Sequence, residues 1–545
     1  MLIWWIWHRP LSRRASLSPS MQIRSALTLV CFATAISGQP TVVCAESPLS
    51  AIDWLTQSVT NPAKAAMPAK PAKPSEPAVT VGGALPKEVA VSVLGGPSPD
   101  AVGLLSPAQT GFPAALWGLA RTDEIIAALT GANAEGLPAL QSLLVTLVLA
   151  EAIPPADAGA SGRLLIARID KLLQIGALDQ AQALLDAAEP AKTADLFRRS
   201  FDAALLTGNE DRACTTLAAA PELSPTLPTR VFCLARAGDW GTAALTLRTA
   251  EALGRITPTE GALLARFLDP DLFEADPVPA PPKPVTPLIW RIYEAIGEPL
   301  PTATMPLAFA HAELSERAGW KSQVEAVERL ARVGAVTPNL LLGLYTERDP
   351  AASGGVWDRV DAFQRFDAAL QAGDVSAVEQ RLPLAFARMM DVELEVPFAT
   401  LFAEDLAKLG LKGDAARIAY DLGLLSPAYA RLAKSPLGAA DVRAAFLAGL
   451  AAGVVADLPP PDSMARAIAP AFGAKPDLLL SDDARLLVSQ KRLGEAMLLA
   501  IARIAAGLHG EIGKVTEGLA ILRVVGLEDI ARRTALELML LERRG

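Results

Sequence analysis

Residues 172–185 read Leu172-Leu-Gln-Ile-Gly-Ala-Leu-Asp-Gln-Ala-Gln-Ala-Leu-Leu185, and two later stretches follow the same plan. These are Ala204-Leu-Leu-Thr-Gly-Asn-Glu-Asp-Arg-Ala-Cys-Thr-Thr-Leu217 and Leu234-Ala-Arg-Ala-Gly-Asp-Trp-Gly-Thr-Ala-Ala-Leu-Thr-Leu247. Each places an alanine five residues after its glycine and another twelve after it. The triplets are Gly176, Ala181 and Ala188; Gly208, Ala213 and Ala220; Gly238, Ala243 and Ala250, with the glycines 32 and 30 residues apart. A glycine just past a helix end takes the left-handed conformation that turns the chain, which costs a residue with a Cβ about 1 kcal/mol or more. The two alanines, seven apart, share a face of the following helix and let the pair cross closely. The spacing therefore predicts successive helical hairpins.

The pattern resembles the tetratricopeptide repeat, a helix-turn-helix unit of about 34 residues with small residues at its turn and crossing points. The resemblance is clearest over residues 165–253. It implies an α-solenoid of stacked hairpins whose first helices line a groove that holds partner peptides or protein surfaces, with no reaction of its own. Further on the pattern thins. Gly373 is followed by Val378, Gly410 by Ala415 and Gly526 by Ala531, while Lys491 stands where a glycine is due before Ala496. Degenerate repeats and plain helical hairpins both account for these. The expectation is an all-α, elongated array with the helix from Leu527 to Arg543 capping its end.

Composition agrees with helices. Of 545 residues, 51% are hydrophobic and only 5% aromatic, so Ala, Leu and Val must make the core, and a wholly disordered chain is excluded. Lys and Arg number 50 against 59 Asp and Glu, a net charge of −9, the wrong sign for a chain that mainly grips phosphate backbones. No nucleic-acid partner is expected.

Residues 1–45 read as an export signal. Met21 opens a segment with Arg24, an apolar run from Ala26 to Ile36 and the small-residue exit Val43-Cys44-Ala45. A mis-called start accounts equally well for residues 1–20. Valines precede Cys31 and Cys44, where a lipid anchor needs a small residue. Residues 46–60 predict a short amphipathic helix with Leu49, Ile52, Trp54 and Leu55 as candidate contacts, either docking on a partner or folding back. Residues 61–112 predict a flexible Pro/Ala/Lys-rich linker, with weak strand signals at 79–81 and 89–94. A first helical domain follows at 113–269, then a Pro-rich linker at 270–287 and a second helical domain at 288–545. The apolar runs 136–150 and 444–456 are too short to span a membrane, so no transmembrane helix is expected in the mature chain. The location these signals imply is the bacterial periplasm.

Cys214 and Cys233 flank the turn at Leu223-Ser224-Pro225. Antiparallel helices folded about it bring them level, which predicts a disulfide in an oxidising compartment; two free buried thiols are the alternative. Chemistry is otherwise sparse. His311 and His509 have no neighbouring Cys or His at ligand spacing, and no phosphate-cradling or nucleophile-elbow motif occurs. Neither a cofactor nor catalytic residues are expected. A wall-cleaving enzyme of the lytic transglycosylase kind is the competing class, although its Glu-Ser signature lacks context here. The loop from Glu347 to Arg359 stands out, with Arg348, Ser353, Gly354, Gly355 and Trp357 as candidate interaction residues; a helix-capping connection with a core Trp explains it equally well. The sequence thus reads as an exported scaffold or adaptor for protein partners of the cell envelope.

Overall fold

A computed structural model describes residues 98–541, apart from 274–275, 351–353, 440 and 456. The expected signal segment, the stretch expected to form a helix with Leu49, Ile52, Trp54 and Leu55, the two stretches with weak strand signals, most of the expected first linker and Ser353 lie outside the described residues. Those described are all-helical, with a single parallel bridge between Leu105 and Ala150 as the one β-type pairing among them.

The helices of eight residues or more follow in order. The first ten are α1 (Thr122–Gly131), α2 (Pro138–Leu149), α3 (Arg163–Gln174), α4 (Leu178–Ala187), α5 (Ala194–Thr207), α6 (Glu210–Ala219), α7 (Leu227–Arg236), α8 (Trp240–Ala252), α9 (Pro258–Leu268) and α10 (Pro287–Ala295). A 3₁₀ segment, Leu307–Leu314, leads to α11 (Trp320–Arg332), α12 (Pro338–Thr346), α13 (Val356–Gln371), α14 (Val375–Met390), α15 (Glu395–Leu406) and α16 (Gly413–Leu425). The chain ends with α17 (Val442–Ala452), α18 (Asp482–Ser489), α19 (Leu493–Leu508), α20 (Gly513–Val524) and α21 (Glu528–Leu540).

The three glycines of the pattern sit at hairpin turns and the alanines on or at the end of the helices that follow. Gly176, Gly208 and Gly238 all have φ between 75° and 82° and close α3, α5 and α7. Ala181, Ala188, Ala213, Ala243 and Ala250 are buried, and Ala220 is half-buried against the core that holds Ala213, Ala243 and Ala250. The fainter positions turn in the same way: Gly373, Gly410 and Gly526 have positive φ, and Lys491 accepts φ 55° in the place of the missing glycine. The small residues of α17 serve packing, for a Cβ on Gly449 would fall 2.4 Å from Leu458.

Three expectations need correction. The end of the expected flexible linker belongs to the packed body. Asp100 is buried and accepts the Leu165 N–H at 2.7 Å, capping α3 where Gly162 has no side chain to do so. Arg168 then donates to the carbonyls of Asp100, Val102, Val148 and Ala150, tying this segment to the end of α2. A wholly buried guanidinium is tolerable because its N–H groups find acceptors. The Pro-rich stretch 270–287 likewise does not run free. Its prolines forbid helix, but Val278 and Val285 bury against the helices, Arg266 donates to the Phe273 carbonyl, and Tyr293 donates to that of Pro279. Leu288, Ile289, Ile292 and Tyr293 of α10 join the residues of α5–α9 in one core, so the apolar interior continues across the stretch.

The third correction concerns the ends. The last helix does not cap an array; α21 packs on α2, α16, α17 and α20, and Ala531, Ala535 and Leu536 are fully buried. Contacts run from α3 to the 3₁₀ segment, then α11, α15, α16, α21, α2 and back to α3, closing on themselves. An elongated array with free ends has no such return. Both helices at this return are strongly apolar, with Leu140, Leu143, Leu144 and Leu147 buried on α2 and Met497, Ile501 and Ile504 buried on α19, and α2 packs on both α19 and α21.

Candidate functional site

Cys214 on α6 and Cys233 on α7 are joined by a disulfide, with Cα atoms 5.0 Å apart. The short turn Pro221–Leu223 sets the two helices side by side and brings the sulfurs level. The bond closes a loop of separation 19 inside the core, and the chain-entropy model assigns such a loop about 3 kcal/mol. Replacing both cysteines by alanine is expected to lower unfolding stability in urea by about that amount. Neither sulfur is expected to react with an alkylating reagent until the protein is reduced.

The loop after α12 is built into the body. Arg348 is exposed and pairs with its neighbour Glu347. Gly354 and Gly355 both have positive φ, and the Gly354 N–H donates to Asp358 at 2.8 Å, which starts α13. Trp357 is half-buried, its ring 4.8 Å from that of Trp320, whose indole N–H donates to the Leu344 carbonyl at 2.9 Å. Beneath them Glu328 accepts the Tyr345 hydroxyl and a two-pronged bond from Arg359, at 2.9 and 2.7 Å. Burial and the Glu328 carboxylate hold the Tyr345 hydroxyl well above its ordinary range, so it serves as a fixed donor. Trp357 thus spends much of its surface on packing.

Sequence reasoning missed a groove of about 590 Å³ beside α15 and α16. Leu406, Leu411, Ala416, Ala419 and Leu432 form its apolar floor, and Arg431 and Lys434 stand at its rim. Arg431 pairs with Glu404 at 2.8 Å. Burial and Asp421 push the Tyr420 hydroxyl in the wall up to about 12. The glycine of the α15–α16 turn was visible in sequence, but the groove depends on the chain at 431–437 returning over α16, which no local pattern encodes. The arrangement can seat apolar side chains; it pairs no nucleophile with a base.

A second charged cluster lies on the first helices of the repeat hairpins. Arg199 of α5 holds Asp170 of α3 through bonds of 2.6 and 2.7 Å. Asp202, one turn on, is left without that partnership, and burial raises its carboxyl to about 6 despite Arg198 and Arg199. The folded protein therefore binds this proton more tightly than the unfolded chain, and the site's contribution to stability is lost as pH rises from about 4 through 6. Asp202→Asn is expected to gain about 1–3 kcal/mol at pH 7.5 and nothing at pH 4, measured by urea unfolding at the two values. Among the described residues, no three His, Cys, Asp or Glu side chains come together in a way that would hold a metal ion. No helix among them is long and apolar enough to cross a membrane.

No protein-family model matches the chain, and searches of curated proteins and of solved structures return no match.

Proposed function

We propose that this chain is an exported helical-hairpin scaffold of the tetratricopeptide-like kind, working in the periplasm and holding protein partners of the cell envelope without catalysing a reaction. The observation that carries the reading is the row of three hairpins, α3–α4, α5–α6 and α7–α8, each turned by a left-handed glycine and closed over buried alanines. Helix pairs of this kind present side chains from successive first helices to one binding surface. The disulfide supports export, because such bonds persist in oxidising compartments and are rare where thiols are kept reduced. The apolar groove at α15–α16 adds a second surface suited to an extended or helical segment of a partner.

The experiment is crosslinking followed by affinity capture of the tagged chain from envelope extracts. The reading expects a discrete set of envelope proteins, retained at physiological salt, together with recovery of the oxidised chain from the periplasmic fraction. Capture of nothing above the untagged control, or recovery of the reduced chain from the cytoplasm, counts against it. Removing residues 47–77 is expected to weaken capture and leave thermal unfolding unchanged; a changed Tm counts against a docking role for that segment.

A further inference from the structure

Two apolar cores meet along Leu307–Leu314. Ala308, Phe309 and Ala312 close over Leu178, Leu206 and Trp290, while Ala310 belongs to the core built by α11–α16. The segment keeps 3₁₀ geometry for eight residues, whereas runs beyond about four are uncommon because their hydrogen bonds are poorly aligned. It rests on the first repeat turn: a Cβ on Gly176 would fall 2.9 Å from Leu307. At the centre of the contact the Nε2–H of His311 donates to the Gly176 carbonyl at 2.6 Å, with the ring buried.

The geometry points to His311 as a pH-sensitive latch: a second ring proton weakens the hold of Leu307–Leu314 on the α3–α4 turn and loosens the contact between the two cores. The neutral ring makes this bond through Nε2 and leaves Nδ1 bare, so the added proton brings a charge into an apolar seam. Burial accordingly holds the ring below the usual imidazole range, against the smaller opposing effects of the Gly176 carbonyl and of Asp179 at the start of α4. Most charges on the elements packed against this segment are engaged elsewhere, and on α10 Arg291 pairs with Glu294. On α3, Arg163 pairs with Asp123, Arg168 and Lys171 bond carbonyls, and Asp170 pairs with Arg199. On α5, Arg198, Arg199 and Asp202 form the cluster around Asp170, and Asp195 starts the helix. On α11, Lys321 pairs with Glu325 and Glu328 with Arg359. Arg329 bonds the Thr302 carbonyl beside Glu313, and Arg332 lies toward Glu393. Asp179 is thus the charge whose field reaches the ring.

The sign follows from linkage. The closed seam binds the proton less tightly than an open one, so closure is complete above about pH 6.5 and is lost as pH falls through the depressed value. The test is hydrogen exchange on the full chain between pH 5 and 8, corrected for intrinsic rates and read in peptides covering 172–181 and 305–315. Protection there is expected to fall from pH 7.5 to 5.5, with about tenfold as the ceiling that linkage sets for a single imidazole over this range. His311→Gln, which keeps a donor toward Gly176 but cannot charge, is expected to hold protection constant across the range. Asp179→Asn, which removes the one supporting charge, is expected to deepen the acid loss. Protection that ignores pH in the unaltered protein, an equal acid loss in His311→Gln, or a shallower loss in Asp179→Asn would each overturn the latch.

Discussion

Gly494→Ala is expected to destabilise the protein by about 3 kcal/mol, among the larger losses available to a single methyl group. A Cβ at this position would lie 2.4 Å from Cζ3 and 2.6 Å from Cε3 of Trp117, and the Gly494 N–H already donates to the Leu116 carbonyl at 3.0 Å. Trp117 is almost wholly buried and cannot swing aside without opening the contact between α19 and the chain ahead of α1. Gly241→Ala supplies the control. Gly241 is also the second residue of its helix, α8, and nothing lies within 4 Å of an added Cβ. There the same change is expected to gain about 0.5 kcal/mol, since alanine loses less backbone freedom on folding than glycine does. Urea unfolding of both variants measures the difference, and equal effects would remove Trp117 from the account.

The second large effect belongs to Glu537. Helix α2 begins with Leu137 and Pro138, neither of which offers a side-chain acceptor to its first turn. The carboxylate of Glu537, carried on α21 and buried, accepts the Ala139 N–H at 3.0 and 2.9 Å instead. It thus supplies a cap and places negative charge at the positive end of the helix. Glu537→Ala leaves that turn unbonded in an apolar setting and is expected to lose about 2–4 kcal/mol. Glu537→Gln keeps an acceptor and is expected to lose about 1 kcal/mol. Equal losses in the two variants would mean that volume, and not the charge-assisted bond, is what matters.

What the sequence made legible and what it hid divide along physical lines. The turns at Gly176, Gly208 and Gly238 were readable because a left-handed residue and two alanines on one helix face are local requirements that leave a periodic trace. The level placement of Cys214 and Cys233 was readable for the same reason, since a single short turn separates them. Even Lys491, which breaks the glycine pattern, marks its turn by position. The return contacts left no such trace. Trp117 meets Gly494 and Glu537 caps Ala139 across 398 residues, and a glycine that makes room for a ring looks in sequence like any other glycine. The Pro-rich stretch misled for a related reason: proline rules out helix but says nothing about whether the valines between find apolar partners. The groove at α15–α16 and the seam under His311 depend equally on elements that are distant in sequence.

The claim on which the rest turns is that the described helices close on themselves where α1 and α2 meet α19 and α21. At this junction Arg492 binds both Glu124 and Glu495. Spin labels on cysteines introduced at 124 and 492, with Cys31 and Cys44 replaced, read the distance between them by pulsed electron resonance. The account predicts one short, narrow distance in the folded protein. A long or broad distribution under the same conditions would show free ends and contradict it.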